Sequence, residues 1–121
     1  MTTILVVDDE KRIRGIYKNL FQKNGYQVIE SSNIAEAREC LKTVKISLVL
    51  LDINMGEFNG DDLYEVVRCF HRDIKVIVSS VYPIEDQKKL IPEAADYFDK
   101  SEGNRILLEK VARALTGSHV A

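Results

Sequence analysis

The sequence lacks the features that mark a membrane, secreted or nucleic-acid-binding protein. No window approaches the ~18 consecutive apolar residues that a transmembrane helix needs. Met1 is followed by a short apolar run rather than by a basic segment and a long apolar stretch, so we expect no signal peptide and a cytoplasmic location. Lys and Arg are scattered and the net charge is −2, whereas a nucleic-acid surface needs a concentrated positive patch. We therefore expect no binding to membranes or nucleic acid, and a mixed surface that docks on other proteins.

Cysteine is scarce, with only Cys40 and Cys69 in 121 residues. Neither has a second Cys or a His at metal-ligand spacing, so we expect two reduced thiols rather than a disulfide or a metal site. The length suits one domain, and 45% of hydrophobic residues is enough for a packed core and argues against disorder. We therefore expect a single domain over residues 1–121, with no output domain in this chain.

Short apolar runs alternate with helical patterns five times along the chain. Asn24-Gly25 and Pro92 are placed to end helices, since Gly adopts the left-handed cap conformation without strain and Pro cannot continue a helix. Asn33 can cap the second helix, with Glu36 three residues on to complete a capping box. Strict alternation predicts an α/β fold, a doubly wound, flavodoxin-like parallel sheet of order 2-1-3-4-5 with helices on both faces. The five predicted strands are residues 4–7, 27–30, 47–51, 75–78 and 96–98.

Charged and hydroxyl side chains follow four of these strands. Asp8 and Asp9 come after the first strand, and Asp52 comes after the third. Ser80 lies at the end of the fourth strand and Lys100 lies just beyond the fifth. Because ligands bind at the carboxyl ends of parallel strands, near the switch point in strand order, we expect these side chains to converge. Considered singly, the acids could be a helix cap and a turn residue, the serine a strand end and the lysine a surface residue.

Three neighbouring carboxylates need a cation among them, since otherwise they repel one another and raise each other's pKa. Mg²⁺ (or Mn²⁺) suits oxygen ligands, and Mg²⁺ is often bound by a few carboxylates together with a phosphate oxygen. Such a site supports phosphoryl transfer, which depends mainly on positioning and charge neutralisation. We predict that Asp52 is the nucleophile that accepts a phosphoryl group, that Lys100 is its cationic partner, and that Ser80 bonds the transferred group.

Four segments at the strand ends carry a family resemblance over essentially the whole chain. They are Val7-Asp8-Asp9-Glu10, Leu50-Leu51-Asp52-Ile53-Asn54-Met55 with Gly60, Val78-Ser79-Ser80, and Tyr97-Phe98-Asp99-Lys100. Together they resemble the receiver domain of two-component response regulators. The resemblance implies that a sensor histidine kinase or a histidine phosphotransfer protein phosphorylates Asp52. It also implies that Asp9 and Asp52 bind the metal directly and Asp8 through water, with the backbone carbonyl of Asn54 as a further ligand.

The resemblance implies a signalling mechanism as well. Ser80 would be the switch hydroxyl and Tyr97 the aromatic residue that changes rotamer with it. Asn54, Val81 and Tyr82 occupy positions that tune access to the site and the rate of dephosphorylation. The face made by the fourth helix, the fifth strand and the fifth helix would carry the signal to a downstream protein, a tethered output domain or a second copy in a homodimer.

The sequence departs from the family pattern in four places. Ser101 stands where Pro usually follows the lysine, so we expect the preceding peptide bond to be trans. Val81 replaces a smaller residue, and its bulk could narrow access to the acceptor. Gly56 stands where Pro is common, which predicts a looser loop. Glu93, after Pro92, replaces a Gly before the fifth strand, so we expect a short or shifted fourth helix.

Two other functions are compatible with the same residues. A pseudo-receiver would keep the fold but signal without phosphate, and Val81 and Ser101 motivate that alternative. A Mg²⁺-dependent phosphohydrolase would use the same carboxylates, but the sequence has neither a cap domain nor an acidic pair separated by one residue around Asp52. We therefore expect a signalling domain that catalyses its own phosphorylation and slow dephosphorylation, and not a dedicated enzyme.

Overall fold

The structure is a computed structural model that describes residues 2–53, 60–70 and 73–116. Strands and helices alternate along the chain, and five parallel strands form one sheet in the order 2-1-3-4-5. The predicted fold class and strand order are therefore confirmed. The strands are β1 (Thr3–Val7), β2 (Gln27–Ser31), β3 (Leu48–Asp52), β4 (Lys75–Ser80) and β5 (Asp96–Asp99). The helices are α1 (Lys11–Lys23), α2 (Ile34–Thr43), α3 (Gly60–Phe70), α4 (Ile84–Leu90) and α5 (Asn104–Thr116), with a short 3₁₀ helix at Lys100–Glu102.

The core is divided between the two faces of the sheet. All five residues of β1 and of β3 are buried, because helices cover both faces. Side chains alternate along each strand, so Ile4 and Val6 pack with the buried residues of α1 and α5. Leu5 and Val7 point the other way and pack with those of α2 and α3. Because both faces are covered, the sequences of β1 and β3 are nearly continuous apolar runs.

The helix ends follow local sequence signals in part. Gly25 has φ 88° and its N–H donates to Gln22 O at 3.2 Å, so it ends α1 as predicted. Asn33 caps α2 by accepting from the Glu36 N–H at 2.9 Å. The second half of the predicted capping box is wrong. The Glu36 carboxylate accepts from the backbone N–H of Ser32 at 2.7 Å, not from that of Asn33, because the Ser32 hydroxyl offers it a further donor at 2.9 Å.

The fourth helix is short, as expected, and it ends at Leu90, two residues before Pro92. The turn that follows contains Glu93 with φ 68°, in the left-handed region that favours glycine. Two side chains of α3 reach this turn. The Tyr64 hydroxyl donates to Pro92 O at 3.0 Å, and Arg68 lies 3.4 Å from the exposed Glu93 carboxylate. Glu93 therefore occupies a strained backbone position between α4 and β5.

The remaining predictions from composition concern the state of the two cysteines and the presence of membrane-spanning segments. Cys40 on α2 is half-buried and Cys69 on α3 is exposed, and both are free thiols. Within the described ranges, no helix is long and apolar enough to cross a membrane.

Candidate functional site

Asp52 and Lys100 meet at the carboxyl edge of the sheet. Asp52 is the last residue of β3, one residue beyond the predicted strand end, and it pairs with Ser79 of β4. Its side chain is 7% exposed. Lys100 opens the 3₁₀ helix after β5, and its Nζ donates to Asp52 Oδ2 at 3.0 Å. Asp52 is therefore a strand residue and not a turn residue, and Lys100 is not an ordinary surface lysine.

Asp8 is the second carboxylate of this cluster, and its side chain is only 2% exposed. Asp8 Oδ1 accepts from the Glu10 N–H at 2.9 Å. Asp8 Oδ2 lies 3.6 Å from Lys100 Nζ and accepts no hydrogen bond from the residues that the structure describes. Burial, with the neighbouring Asp52 adding to it, raises the pKa of Asp8 to about 6, although the Glu10 N–H and Lys100 act in the opposite direction.

The ammonium group of Lys100 is held in its charged form. Burial disfavours that charge and is the largest single influence on it. The hydrogen bond to Asp52 and the charges of Asp52 and Asp8 together outweigh it, so the pKa of Lys100 is raised above its ordinary value. Two carboxylates and one ammonium therefore form a compact, mutually dependent group at the edge of the sheet.

Asp9 lies outside this compact group. Its side chain is exposed, whereas that of the preceding Asp8 is buried. The alternative role of Asp9 as a helix cap is wrong, since the N-cap of α1 is Glu10 and it has no side-chain cap hydrogen bond. No three His, Cys, Asp or Glu residues come together as a metal-binding group in residues 2–53, 60–70 and 73–116. The predicted carbonyl ligand, Asn54, lies outside the described residues.

The chemistry of Asp8 and Asp52 nevertheless fits a hard divalent cation. Both offer carboxylate oxygens, which are the ligands that Mg²⁺ prefers. Asp8 Oδ2 is buried without a hydrogen bond from the described residues, and burying such an acceptor is costly unless a donor or cation satisfies it. In the present arrangement Lys100 supplies the positive charge for both acids.

The predicted switch hydroxyl, Ser80, is fully buried at the end of β4. It pairs with Asp99, the last residue of β5, and Lys100 comes directly after that residue. Ser80 Oγ accepts from the Tyr82 N–H at 3.0 Å. Tyr82 and the preceding Val81 are 46% and 65% exposed, which places two large apolar side chains at the surface directly after Ser80.

Tyr97 is buried in β5 rather than turned toward solvent, with 6% of its surface exposed. Its hydroxyl donates to Ile91 O at 2.7 Å and accepts from the Ala94 N–H at 3.0 Å. The Nζ of Lys88 lies 5.8 Å from the centre of its ring, within the range of a cation–π contact. The hydroxyl of Tyr97, in β5, therefore stabilises the turn between α4 and β5 by two hydrogen bonds.

The turn that presents Lys100 is built around Asp99. The Asp99 carboxylate accepts from the N–H of Ser101 at 2.9 Å and from its hydroxyl at 2.8 Å. Glu102 accepts from the Asp99 N–H at 3.0 Å and so completes a capping box. The Lys100–Ser101 bond is trans, as expected, since no cis bond occurs among the described residues. Ser101 thus supplies two donors to this turn, its N–H and its hydroxyl, and a proline could provide neither.

Three polar residues near the site were missed by sequence reasoning. Tyr17 of α1 and Ser79 of β4 line a space, too small for a water molecule, that Asp8 and Asp52 also line. Burial raises the pKa of Tyr17 above its ordinary value. Gln87 of α4 is fully buried. The available signal for Tyr17 was a hydroxyl on an otherwise apolar helix face, and Gln87 gave no signal because a polar residue on a helix is normally exposed.

Comparison with known proteins identifies the family. The sequence model of the family described as the response regulator receiver domain matches residues 4–112 of this chain. The chain therefore belongs to the response regulator receiver domain family of two-component systems, a family of signalling modules.

Two curated relatives illustrate the range of sizes in which this domain occurs. Sporulation initiation phosphotransferase F of Bacillus subtilis (strain 168) is 30% identical over 91 residues, which are 72% of this chain and 73% of the relative. Transcriptional regulatory protein CpxR of Escherichia coli (strain K12) is 31% identical over 121 residues, which are 98% of this chain. The chain spans about half (51%) of the length of CpxR.

Two solved structures of the response regulator TrrA of Thermotoga maritima are similar to this fold. The complex of TrrA with Mg(2+)-BeF has a TM-score of 0.84 and 32% identity and covers 95% of this chain and 100% of TrrA. The complex of TrrA with the histidine kinase ThkA has a TM-score of 0.85 and 33% identity and covers 95% of this chain and 99% of the matched chain.

Proposed function

We propose that this chain is a phosphorylation-dependent signalling module in which Asp52 is the phosphoacceptor. The observation that carries the proposal is the position of Asp52 at a rigid strand end, 3.0 Å from Lys100 Nζ and beside the buried Asp8. A carboxylate held in this way is a suitable nucleophile, because phosphoryl transfer needs positioning and charge neutralisation more than covalent chemistry from the protein.

The proposed reaction moves one phosphoryl group from a phosphohistidine to Asp52. A carboxylate oxygen of Asp52 forms a bond to phosphorus while the bond between phosphorus and the imidazole nitrogen breaks, and the electron pair of that bond stays on the nitrogen. The product is an acyl phosphate on Asp52. Lys100 exchanges its contact with the Asp52 carboxylate for one with a phosphoryl oxygen, which keeps the new negative charge paired.

We propose that Asp8, Asp9 and Asp52 hold Mg²⁺ (or Mn²⁺), with the backbone carbonyl of Asn54 as a further ligand. When bound, the ion neutralises charge on the carboxylates and on the phosphoryl oxygens. The residues of the chain position the acceptor and pair its charge. The Mg(2+)-BeF complex of TrrA supports the proposal, since TrrA shares 32% identity with this chain.

The proposed signal passes from Ser80 and Tyr97 to the surface of α4, β5 and α5. Ser80 bonds the phosphoryl group, and Tyr97 changes rotamer with it. The exposed apolar residues Val81, Tyr82 and Leu90 lie in or next to α4 and suit a protein partner. The proposed phosphodonor is a sensor histidine kinase or a histidine phosphotransfer protein, and the structure of ThkA with TrrA supports the kinase. We propose that the signal is passed to a downstream protein, a tethered output domain or a second copy of the chain.

The test is phosphorylation by acetyl phosphate, a small donor, in the presence of Mg²⁺. We expect the intact protein to gain the mass of one phosphoryl group, and the Asp52→Asn variant to gain none. The Asp62→Asn variant, which changes an exposed acid of α3, is the control and should be phosphorylated like the wild type. Phosphorylation that survives Asp52→Asn would contradict the assignment of the acceptor, and a wild-type protein that gains no mass would favour the pseudo-receiver.

The phosphohydrolase alternative has less support from the described residues. A cavity of about 500 Å³ is lined by residues such as Tyr64, Arg68 and Lys75. It lies at the opposite ends of the strands from Asp52, so it does not place a substrate beside that carboxylate. Turnover of a small phosphate ester well beyond one equivalent, lost in Asp52→Asn, would be the evidence for that alternative.

A further inference from the structure

Gln87 is a polar residue that the proposed signalling mechanism does not yet use. It lies in α4 and is fully buried, which is unusual for an amide side chain in a seven-residue helix. Its Nε2 donates to Tyr82 O at 2.9 Å and to Phe98 O at 2.9 Å. Because both partners are carbonyl oxygens, only the NH₂ end of the amide can bond them, and its two hydrogens are both used. The orientation of Gln87 is therefore set by its surroundings.

The two carbonyls belong to the segments that carry the predicted functional residues. Tyr82 lies two residues after Ser80, just beyond the end of β4. Phe98 lies in β5, pairs with Ser79, and precedes Lys100 by two residues. A single side chain of α4 therefore connects the chain after the switch hydroxyl to the strand that leads to the lysine of the site.

The backbone of Tyr82 is held on both sides by side chains. Its N–H donates to Ser80 Oγ at 3.0 Å, and its carbonyl accepts from Gln87 at 2.9 Å. The two side chains that make these hydrogen bonds, Ser80 and Gln87, are both fully buried. Ser80 and Gln87 therefore restrain the same backbone residue, one through its N–H and the other through its carbonyl.

We propose that Gln87 is the positioning residue that couples the hydroxyl of Ser80 to α4. The inference rests on the proposed function, in which Ser80 bonds a phosphoryl group on Asp52. When the Ser80 hydroxyl turns toward that group, the Tyr82 N–H loses its acceptor and the turn after β4 moves. Gln87 carries this movement into α4, while its second bond keeps α4 attached to Phe98 of β5.

A second feature of Gln87 supports a change of state rather than a fixed structural role. Its Oε1 is buried and accepts no hydrogen bond from the described part of the chain. An unsatisfied buried acceptor makes this arrangement less stable than one in which a donor reaches it. The arrangement of α4 in which Gln87 bonds Tyr82 and Phe98 is therefore easier to exchange for another.

The test compares backbone hydrogen exchange in residues 82–91 for the wild type, Gln87→Met and Gln22→Met. Met keeps the length of the side chain but removes the donor, and Gln22 is an exposed residue of α1 that serves as the matched control. Each protein is measured without ligand and with Mg²⁺ and beryllofluoride at saturation, the phosphoryl mimic. We expect wild-type exchange in this segment to change with beryllofluoride. Gln87→Met should exchange roughly tenfold faster without ligand, since two hydrogen bonds are lost, and its change with beryllofluoride should fall to less than a third.

The readout separates coupling from a general loss of stability. If the role of Gln87 is purely structural, hydrogen exchange in the Gln87→Met variant should be faster throughout the protein, but the change that beryllofluoride causes in residues 82–91 should stay intact. That result would overturn the coupling by Gln87 and leave the proposed function standing. Gln22→Met should match the wild type in both conditions, and a loss of the change there would also count against a specific role for Gln87. A wild-type protein that does not respond to beryllofluoride would overturn the proposed function and, with it, the coupling.

Discussion

Lys100 donates to Asp52 across the ends of two strands that are not neighbours, since β4 lies between β3 and β5. The two residues are 48 positions apart in the sequence, and Lys100 also lies 3.6 Å from Asp8. One ammonium group therefore balances two buried carboxylates, and the stability of the site depends on it.

Replacement of Lys100 by Met should lower the free energy of unfolding at pH 7 by about 2 kcal/mol, because both carboxylates lose their cation. The loss should be smaller near pH 5, where Asp8, with its pKa of about 6, is largely protonated. Urea denaturation at the two pH values measures both effects. Lys89→Met, which changes an exposed lysine of α4, is the control and should stay near the wild-type value. Equal losses in the two variants would contradict the role given to Lys100.

Asp8 should make the metal-free protein less stable as the pH rises. Its pKa is raised to about 6 in the folded protein from 3.8, so between these values the folded state binds a proton that the unfolded chain does not. The contribution of Asp8 to stability therefore falls as the pH increases through this interval, and it is fully unfavourable above it.

Asp8→Asn removes this pH dependence. Without Mg²⁺, we expect the variant to be more stable than the wild type at pH 7.5 by up to about 3 kcal/mol, with a difference that shrinks toward pH 4. Thermal or urea denaturation in the presence of a chelator measures it. Glu39→Gln, an exposed acid of α2, should show no such trend. A stability difference between wild type and Asp8→Asn that is constant with pH would show that the pKa of Asp8 is not raised.

Glu93→Gly should stabilise the protein by about 1 kcal/mol, because Glu93 has φ 68° and Gly adopts that conformation without strain. The contact with Arg68 is exposed, so its loss should cost little. Glu93→Ala loses the same contact but keeps the strain and should gain nothing. The comparison is made by urea denaturation, and a Gly variant less stable than the Ala variant would disprove the strain.

Tyr97→Phe should cost about 1–3 kcal/mol, because Ile91 O loses its donor and the Ala94 N–H loses its acceptor. The ring and its contact with Lys88 are retained, so packing changes little. Tyr82→Phe, at a half-exposed tyrosine, is the control and should be close to neutral. Urea denaturation measures both variants. A neutral Tyr97→Phe would mean that the turn after α4 does not depend on this hydroxyl.

Local sequence patterns were sufficient for the fold and for the helix ends marked by Gly25 and Asn33. Apolar runs such as that of β3 and the helical spacing between them follow directly from which side chains are buried. Gly25 and Asn33 act within one or two turns of their own helices, and both end or cap them as predicted. The choice of partner for Glu36 was wrong because Ser32 and Asn33 offer competing donors that differ only in their positions in space.

The sequence by itself determined that acids, a hydroxyl and a lysine stand at the carboxyl ends of the strands, since the apolar runs locate each strand end to within two residues. Only the tertiary structure decided which of the adjacent acids is buried. Asp8 is enclosed and shares Lys100 with Asp52, whereas Asp9 remains exposed. The tertiary structure also buried Gln87, whose two acceptors come from separate strands. The physical reason is that burial and pKa depend on groups distant in the chain, which no local pattern brings together.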